Sequence, residues 1–157
     1  IQKTRSLMFD LSPPVLYELG LEPAVKWLTE KTAAELGIAA VFEDDGQDKP
    51  LDEDSRIILF RAVRELLTNV AKHAQAKNIR VSARRDGPNM AVQVEDNGVG
   101  FDPGQVGSRR NPHSGFGLFD IRERLSHLGG SFQLESKPGR GTRATLLAPL
   151  NQQAPAS

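Results

Sequence analysis

Residues 79–100 read IRVSARRDGPNMAVQVEDNGVG. Ile79, Val81 and Ala83 alternate with polar residues, as do Val92 and Val94, and Asp86-Gly87-Pro88-Asn89 lies between the two runs. A period of two puts the apolar side chains of each run on one face, and a glycine-bearing turn between two such runs predicts a β-hairpin. The second run leads into Glu95-Asp96-Asn97-Gly98-Val99-Gly100-Phe101-Asp102. At a strand exit, Asp96 holds an acceptor at the edge of the sheet, where an exocyclic amine could donate to it. Gly98 and Gly100 permit positive φ and close backbone approach. A tight turn accounts for the same glycines, so both readings stand.

Outward from this hairpin the chain alternates helical and strand patterns. Residues 22–36 carry Ala24, Val25, Leu28, Ala33 and Leu36 at helical spacing, with Gly37 placed as the C-terminal cap. A short strand is predicted over 38–42, a second helix over 53–74, and a third helix ending near Leu128 before Gly129-Gly130. Strands over 132–135 and 144–147 flank Pro138-Gly139-Arg140-Gly141 as a second hairpin. Residues 97–115 are glycine-rich and poor in apolar side chains, a length of loop that is usually functional. Residues 1–20 read as the end of another element, with Ser12-Pro13-Pro14 predicted to stop any helix. Residues 151–157 read as a disordered polar tail. Strands paired mainly as hairpins, with helices between them, predict an α+β two-layer sandwich. Its sheet is expected to be mixed and mostly antiparallel, with the helices on one face.

Composition narrows the function. The 157 residues are 38% hydrophobic and 25% charged, ordinary for a globular domain. Twenty basic residues balance twenty acidic ones, which disfavours a nucleic-acid partner. No run of about 18 apolar residues occurs, so no membrane-spanning helix is expected. The absence of cysteine excludes disulfides and thiolate metal sites. The first residue is Ile1 and no basic-then-apolar leader follows, which reads as a cytoplasmic piece of a longer protein, any membrane anchor being expected ahead of Ile1.

Two further constellations bear on chemistry. On the second helix Arg61, Glu65, Asn69 and Lys72 form one polar stripe, opposite Leu59, Val63, Leu66, Val70 and Ala74. A solvated helix face explains such a stripe. So does a cation site: a carboxylate and a carboxamide oxygen one turn apart suit Mg²⁺, with water and phosphate as remaining ligands and Lys72 as a nearby point charge. Gly115-Phe116-Gly117-Leu118 then precedes a helix, where exposed amides form an anion site. Leu118, Ile121, Leu125 and Leu128 have core spacing.

Taken in order, Glu-x-x-x-Asn, Asp-x-Gly-x-Gly, a glycine-rich loop and Gly-x-Gly resemble the ATP-binding fold of gyrase, the large ATP-dependent chaperone, MutL and histidine kinases. Within that group the chain resembles the catalytic domain of a two-component sensor histidine kinase. The N-box matches at Glu65, Asn69, Lys72 and His73, and the first G-box at Asp96, Gly98 and Gly100. The second matches at Gly115, Gly117 and Leu118, and a final Gly-x-Gly-Thr at Gly139, Gly141 and Thr142. The resemblance covers residues 21–150 and is nearest to the nitrate-sensor-like subfamily, with 1–20 as the end of a dimerisation helix and its linker.

The resemblance implies ATP and Mg²⁺ as ligands. Asn69 would hold the metal with Glu65 nearby, and Glu65 would act as general base or orient the acceptor imidazole. Asp96 would bind the adenine amine, with Thr142 supporting that contact through water. Residues 102–114 would form a lid, hinged at Gly115 and Gly117. The implied partners are an upstream dimerisation domain and a helix-turn-helix response regulator, in a homodimeric parent whose isolated fragment is a monomer. His73, His113 and His127 do not fit a phosphoacceptor, which is expected before Ile1, and Phe101 stands where the family's phenylalanine-bearing box is missing. The alternatives within the superfamily are an ATP-binding clamp or regulatory module and an anti-sigma-factor-like serine kinase.

Overall fold

The computed structural model describes residues 14–100 and 112–151, with backbone alone at 73, 74 and 112–116. Helices α1 (Pro14–Leu19) and α2 (Leu21–Leu36) lead into β1 (Ala39–Asp44) and α3 (Glu53–Asn69), which continues as a π-helical turn at Val70–Ala74. Strands β2 (Asn78–Asp86) and β3 (Asn89–Asp96) follow, then α4 (Pro112–His127), β4 (Ser131–Ser136) and β5 (Thr142–Pro149). The strands form one sheet in the order β1-β2-β3-β5-β4; β1 is parallel to β2 and every other pair is antiparallel. This is the expected α+β sandwich with a mixed, mostly antiparallel sheet.

Register explains why the helices cover one side. In one cross-strand row Phe42, Val81, Val94, Ala144 and Leu134 stand side by side, and the next inward row holds Ala83, Val92, Leu146 and Phe132. The central residues of these rows are fully buried beneath Leu59, Val63 and Leu66 of α3 and Leu125 of α4. One outward row is mostly charged. Val41, Arg80, Glu95, Arg143 and Glu135 line up across all five strands. Arg143 pairs with Glu95 at 3.6 Å and with Glu135 at 3.5 Å. Such exposed pairs contribute little stability but keep this face wet.

Three boundaries depart from the sequence reading. Proline at 14 begins α1 instead of ending a helix, because the first helical position needs no amide donor. Leu16 of α1 is 2% exposed and belongs to the main core, so part of the stretch read as a junction packs into the domain. Helix α4 starts at Pro112, which places Gly115 and Gly117 inside it rather than ahead of it. Strand β1 runs two residues further than expected, to Asp44. Of residues 102–114, read as a lid, 112–114 belong to the first turn of α4, while 102–111 and the tail from 152 lie outside the described residues; Asn151 donates its amide to the Pro50 carbonyl.

Asp52 caps α3, its side chain accepting from the Ser55 amide at 2.8 Å. Just before it, Lys49 is withdrawn from solvent, its Nζ 2.6 Å from both Asp44 Oδ1 and Asp45 Oδ1 and 4.0 Å from Glu22 of α2. Asp45 also accepts the Arg85 amide of β2 at 2.7 Å. Burial acts to lower the Lys49 pKa, but the hydrogen bonds to Asp44 and Asp45 outweigh it and leave the pKa raised. The Lys49 hydrogen bond, followed by the Arg85 amide, holds the Asp45 carboxyl well below the usual carboxylate range. One charge cluster thus ties α2, β1 and β2 at this end of the domain.

Candidate functional site

The opposite end of the sheet interrupts the apolar inward face. Its last inward row is Ala40, Ile79, Asp96, Thr142 and Ser136, so three polar side chains stand where the adjoining rows are apolar. Asp96 is half-buried, and burial raises its carboxyl above the ordinary range, with the Gly98 amide, 2.8 Å from Oδ1, opposing the shift. A desolvated carboxylate beside a hydroxyl is costly unless a donor arrives from outside. An amine is one such donor.

Asn97, which carried no role in the sequence reading, secures this position. Its Oδ1 accepts both the Lys77 and the Asn78 amide at 2.9 Å, fastening the exit of β3 to the start of β2. Of the two glycines that follow, Gly100 takes φ 67°, and a Cβ there would strike the Lys137 carbonyl of the β4–β5 turn. The segment after β3 therefore needs glycine at 100 for two reasons, backbone sign and space. Gly98 serves through its amide.

Helix α3 ends at the same edge, because only residues 75–77 separate its π turn from β2, whose start is bound to Asn97. Leu59, Val63, Leu66 and Val70 are buried, as the stripe required, while Glu65 and Asn69 are half-buried and Arg61 and Lys72 exposed. Asn69 is the last α-helical residue before the π turn, a geometry that often marks functional positions. The side chain of His73 lies outside the described residues. Lys72 is at the rim, exposed.

Helix α4 supplies the opposing wall. A Cβ on Gly117 would overlap the Glu65 carboxylate, so Gly117 is the place where α4 lets that side chain lie against its backbone. The sequence reading took Gly117 for a hinge ahead of the helix; its position in the second turn makes it a packing glycine. Gly115 remains among the first four residues, whose amides have no intrahelical acceptor. Leu118 is buried in the core beneath them. Among the described residues no group of three or more His, Cys, Asp or Glu could hold a metal.

The site thus brings together Glu65 with Gly117, and Asp96 with Gly98, Thr142 and the β4–β5 turn. Ser136 was missed by sequence reading, although inward alternation back across the turn from Thr142 would have reached it. It is buried, donates to the Gly141 carbonyl at 3.0 Å and lies 2.8 Å from Thr142 Oγ1.

Comparison with known proteins gives concordant matches. Residues 54–152 match the family described as histidine kinase-, DNA gyrase B- and HSP90-like ATPase. An uncharacterized sensor-like histidine kinase of Chloroflexus aurantiacus is 34% identical over 94% of this chain and 25% of its own length. The signal transduction histidine-protein kinase/phosphatase DegS of Brevibacillus brevis is 30% identical over 98% of this chain and 38% of its own. The sensor histidine kinase MctS of Rhizobium johnstonii is 32% identical over 99% of this chain and 33% of its own. The chain therefore spans between a quarter and two-fifths of these relatives. Among solved structures, the catalytic domain of histidine kinase ThkA superposes with a TM-score of 0.67 at 19% identity, covering 85% of this chain and 92% of that domain. The blue-light activated histidine kinase EL346 of Erythrobacter litoralis does so with 0.70 at 21% identity, covering 97% and 51%.

Proposed function

Because the chain belongs to the histidine kinase-, DNA gyrase B- and HSP90-like ATPase family, an ATP-binding family, we propose that it is the catalytic part of a sensor histidine kinase. Its reaction moves the γ-phosphoryl group of Mg·ATP to a histidine on a separate dimerisation domain. The observation that carries this reading is the desolvated Asp96 carboxylate on the inward row beside Thr142, at the edge where α3 presents Glu65 and Asn69.

The residues present fit the ligand. Asp96 offers an acceptor to the adenine amine, and the half-buried Asn69 offers a hard oxygen to Mg²⁺, a cation that keeps water and phosphate as its other ligands. Bound Mg·ATP supplies the transferable phosphoryl group and the cation that offsets its charge. Lys72 adds a point charge at the rim, and Gly98, Gly100 and Gly115 bring backbone close to the nucleotide. Glu65 takes the proton of the acceptor imidazole or orients it as the nitrogen bonds to phosphorus and ADP leaves. Phosphoryl transfer relies on positioning and charge stabilisation, so these groups suffice.

The implied setting is a homodimeric two-component kinase with a helix-turn-helix response regulator, the residues ahead of α1 joining this domain to the dimerisation helices. Among the described residues no helix is long and apolar enough to cross a membrane. We place the domain in the cytoplasm, where ATP is.

The test is transfer in trans. With labelled ATP alone the chain is expected to bind nucleotide and stay unlabelled. Adding a dimerisation domain that carries the acceptor histidine should give acid-labile label on that domain. Glu65→Gln should slow transfer by ~10²–10⁴-fold with little change in ATP affinity. Label on His73, His113 or His127 would refute the assignment of donor and acceptor.

A further inference from the structure

We propose that Ser136 is a specificity-determining positioning residue: by fixing the direction of the Thr142 hydroxyl, it makes the purine end of the site acceptor-only and selects a 6-amino over a 6-oxo purine. The inference rests on the reading of Asp96 as the purine-amine acceptor and extends it to a residue that need not touch the nucleotide.

The argument follows one proton. Ser136 is 9% exposed, on the inward row next to Thr142, which in turn pairs with Asp96. Its Oγ lies 3.0 Å from the Gly141 carbonyl oxygen, which accepts and cannot donate, so the Ser136 proton goes there. The same Oγ is 2.8 Å from Thr142 Oγ1. With the serine proton donated to Gly141, Thr142 is assigned as the donor in that contact. A hydroxyl has one proton, so what Thr142 has left for a ligand or an intervening water is acceptor capacity.

The anchor of this relay does not move easily. A Cβ on Gly141 would strike the Asp96 carbonyl, so the turn that presents the Gly141 oxygen is seated on the strand end that carries Asp96. Asp96 and Thr142 are then neighbouring acceptors across one strand pair. A 6-amino group has two protons to give them, directly or through a water that donates to Thr142 and accepts from the amine. A 6-oxo group has none, and meets acceptors only. Without Ser136 the Thr142 hydroxyl could turn and donate to the oxo oxygen.

Equilibrium binding of ATP and of inosine triphosphate, which differs at position 6 by oxo for amino, separates the possibilities. The wild-type protein is expected to prefer ATP. Ser136→Ala should lower the ATP-to-inosine-triphosphate affinity ratio by about tenfold, the scale of one hydrogen-bond mismatch. Thr142→Val should lower the ratio as well, and adding Ser136→Ala to it should change the ratio no further. Ser136→Cys keeps the shape with a poorer donor and must shift the ratio in the same direction, which covers failure of the alanine variant to fold. An equal loss of both nucleotides, an unchanged ratio in Ser136→Ala, or an undiminished Ser136 effect in the Thr142→Val background overturns the proposal. Asp96→Asn distinguishes the underlying reading. If it abolishes the ATP preference while Ser136→Ala leaves it intact, only the role of Ser136 falls; if the wild type has no preference that Asp96→Asn removes, the amine site falls and this proposal with it.

Discussion

Asp96 is held on an inward row at a cost, since burial disfavours its charged form and the Gly98 amide offsets that only in part. The sign of the consequence follows from the direction of the shift. A carboxyl whose folded pKa lies above its unfolded value favours folding below the unfolded pKa, and that contribution is lost as pH rises through the folded value. At neutral pH ionised Asp96 therefore weakens the nucleotide-free fold. Asp96→Asn is expected to raise the thermal midpoint at neutral pH, by an amount that shrinks on acidification through the carboxylate range. It should also weaken ATP binding by about 1–3 kcal/mol, as an unpaired polar contact does. Differential scanning calorimetry against pH and nucleotide titration check both halves, and a lower midpoint at neutral pH would refute the account. Asn69 makes a different claim. Asn69→Ala should reduce ATP affinity about tenfold in Mg²⁺ and little in its absence, a difference of ~1.4 kcal/mol readable by calorimetry. Equal losses would make Asn69 structural.

The contact between α3 and α4 shows how elements rather than residues build the site. Glycine inside a helix ordinarily costs about 0.5–1 kcal/mol relative to alanine, so Gly117→Ala would stabilise α4 if nothing opposed it. Here the added methyl group overlaps the Glu65 carboxylate, which is the far end of a flexible side chain and must turn away. Gly117→Ala is therefore expected to leave stability within about 1 kcal/mol of wild type while reducing phosphotransfer. The fall should be at least tenfold, with ATP affinity nearly kept, and chemical denaturation alongside the trans assay measures the two effects. A variant that transfers at the wild-type rate would detach Glu65 from the reaction or Gly117 from Glu65. The period of α3 made its polar stripe legible in the sequence; that the stripe meets a glycine of α4 was not, because helix periodicity describes one element's faces and says nothing of what lies opposite.

At the scale of the molecule, α1 decides where the domain begins. Leu16 is 2% exposed among core side chains, so Leu16→Ala should cost about 2–5 kcal/mol of unfolding free energy if α1 is integral to the fold. A loss below about 0.5 kcal/mol, the size of ordinary surface substitutions, would return residues 14–19 to the status of a linker. Sequence alone determined the hairpins, the cap at Gly37, the amphipathic α3 and the order of the ATP-site motifs. These depend on alternation, turn chemistry and spacing along the chain, all of them local. It misjudged Pro14 and the start of α4, because proline and glycine near a helix end are compatible with either side of the boundary. The tertiary structure decided the rest. Strand β5 inserts between β3 and β4, so Asp96 and Thr142, 46 positions apart, become neighbours, and Ser136 joins them from the edge strand. No period along the chain carries that information, since non-local strand order is set by which pairing buries the most apolar surface at once.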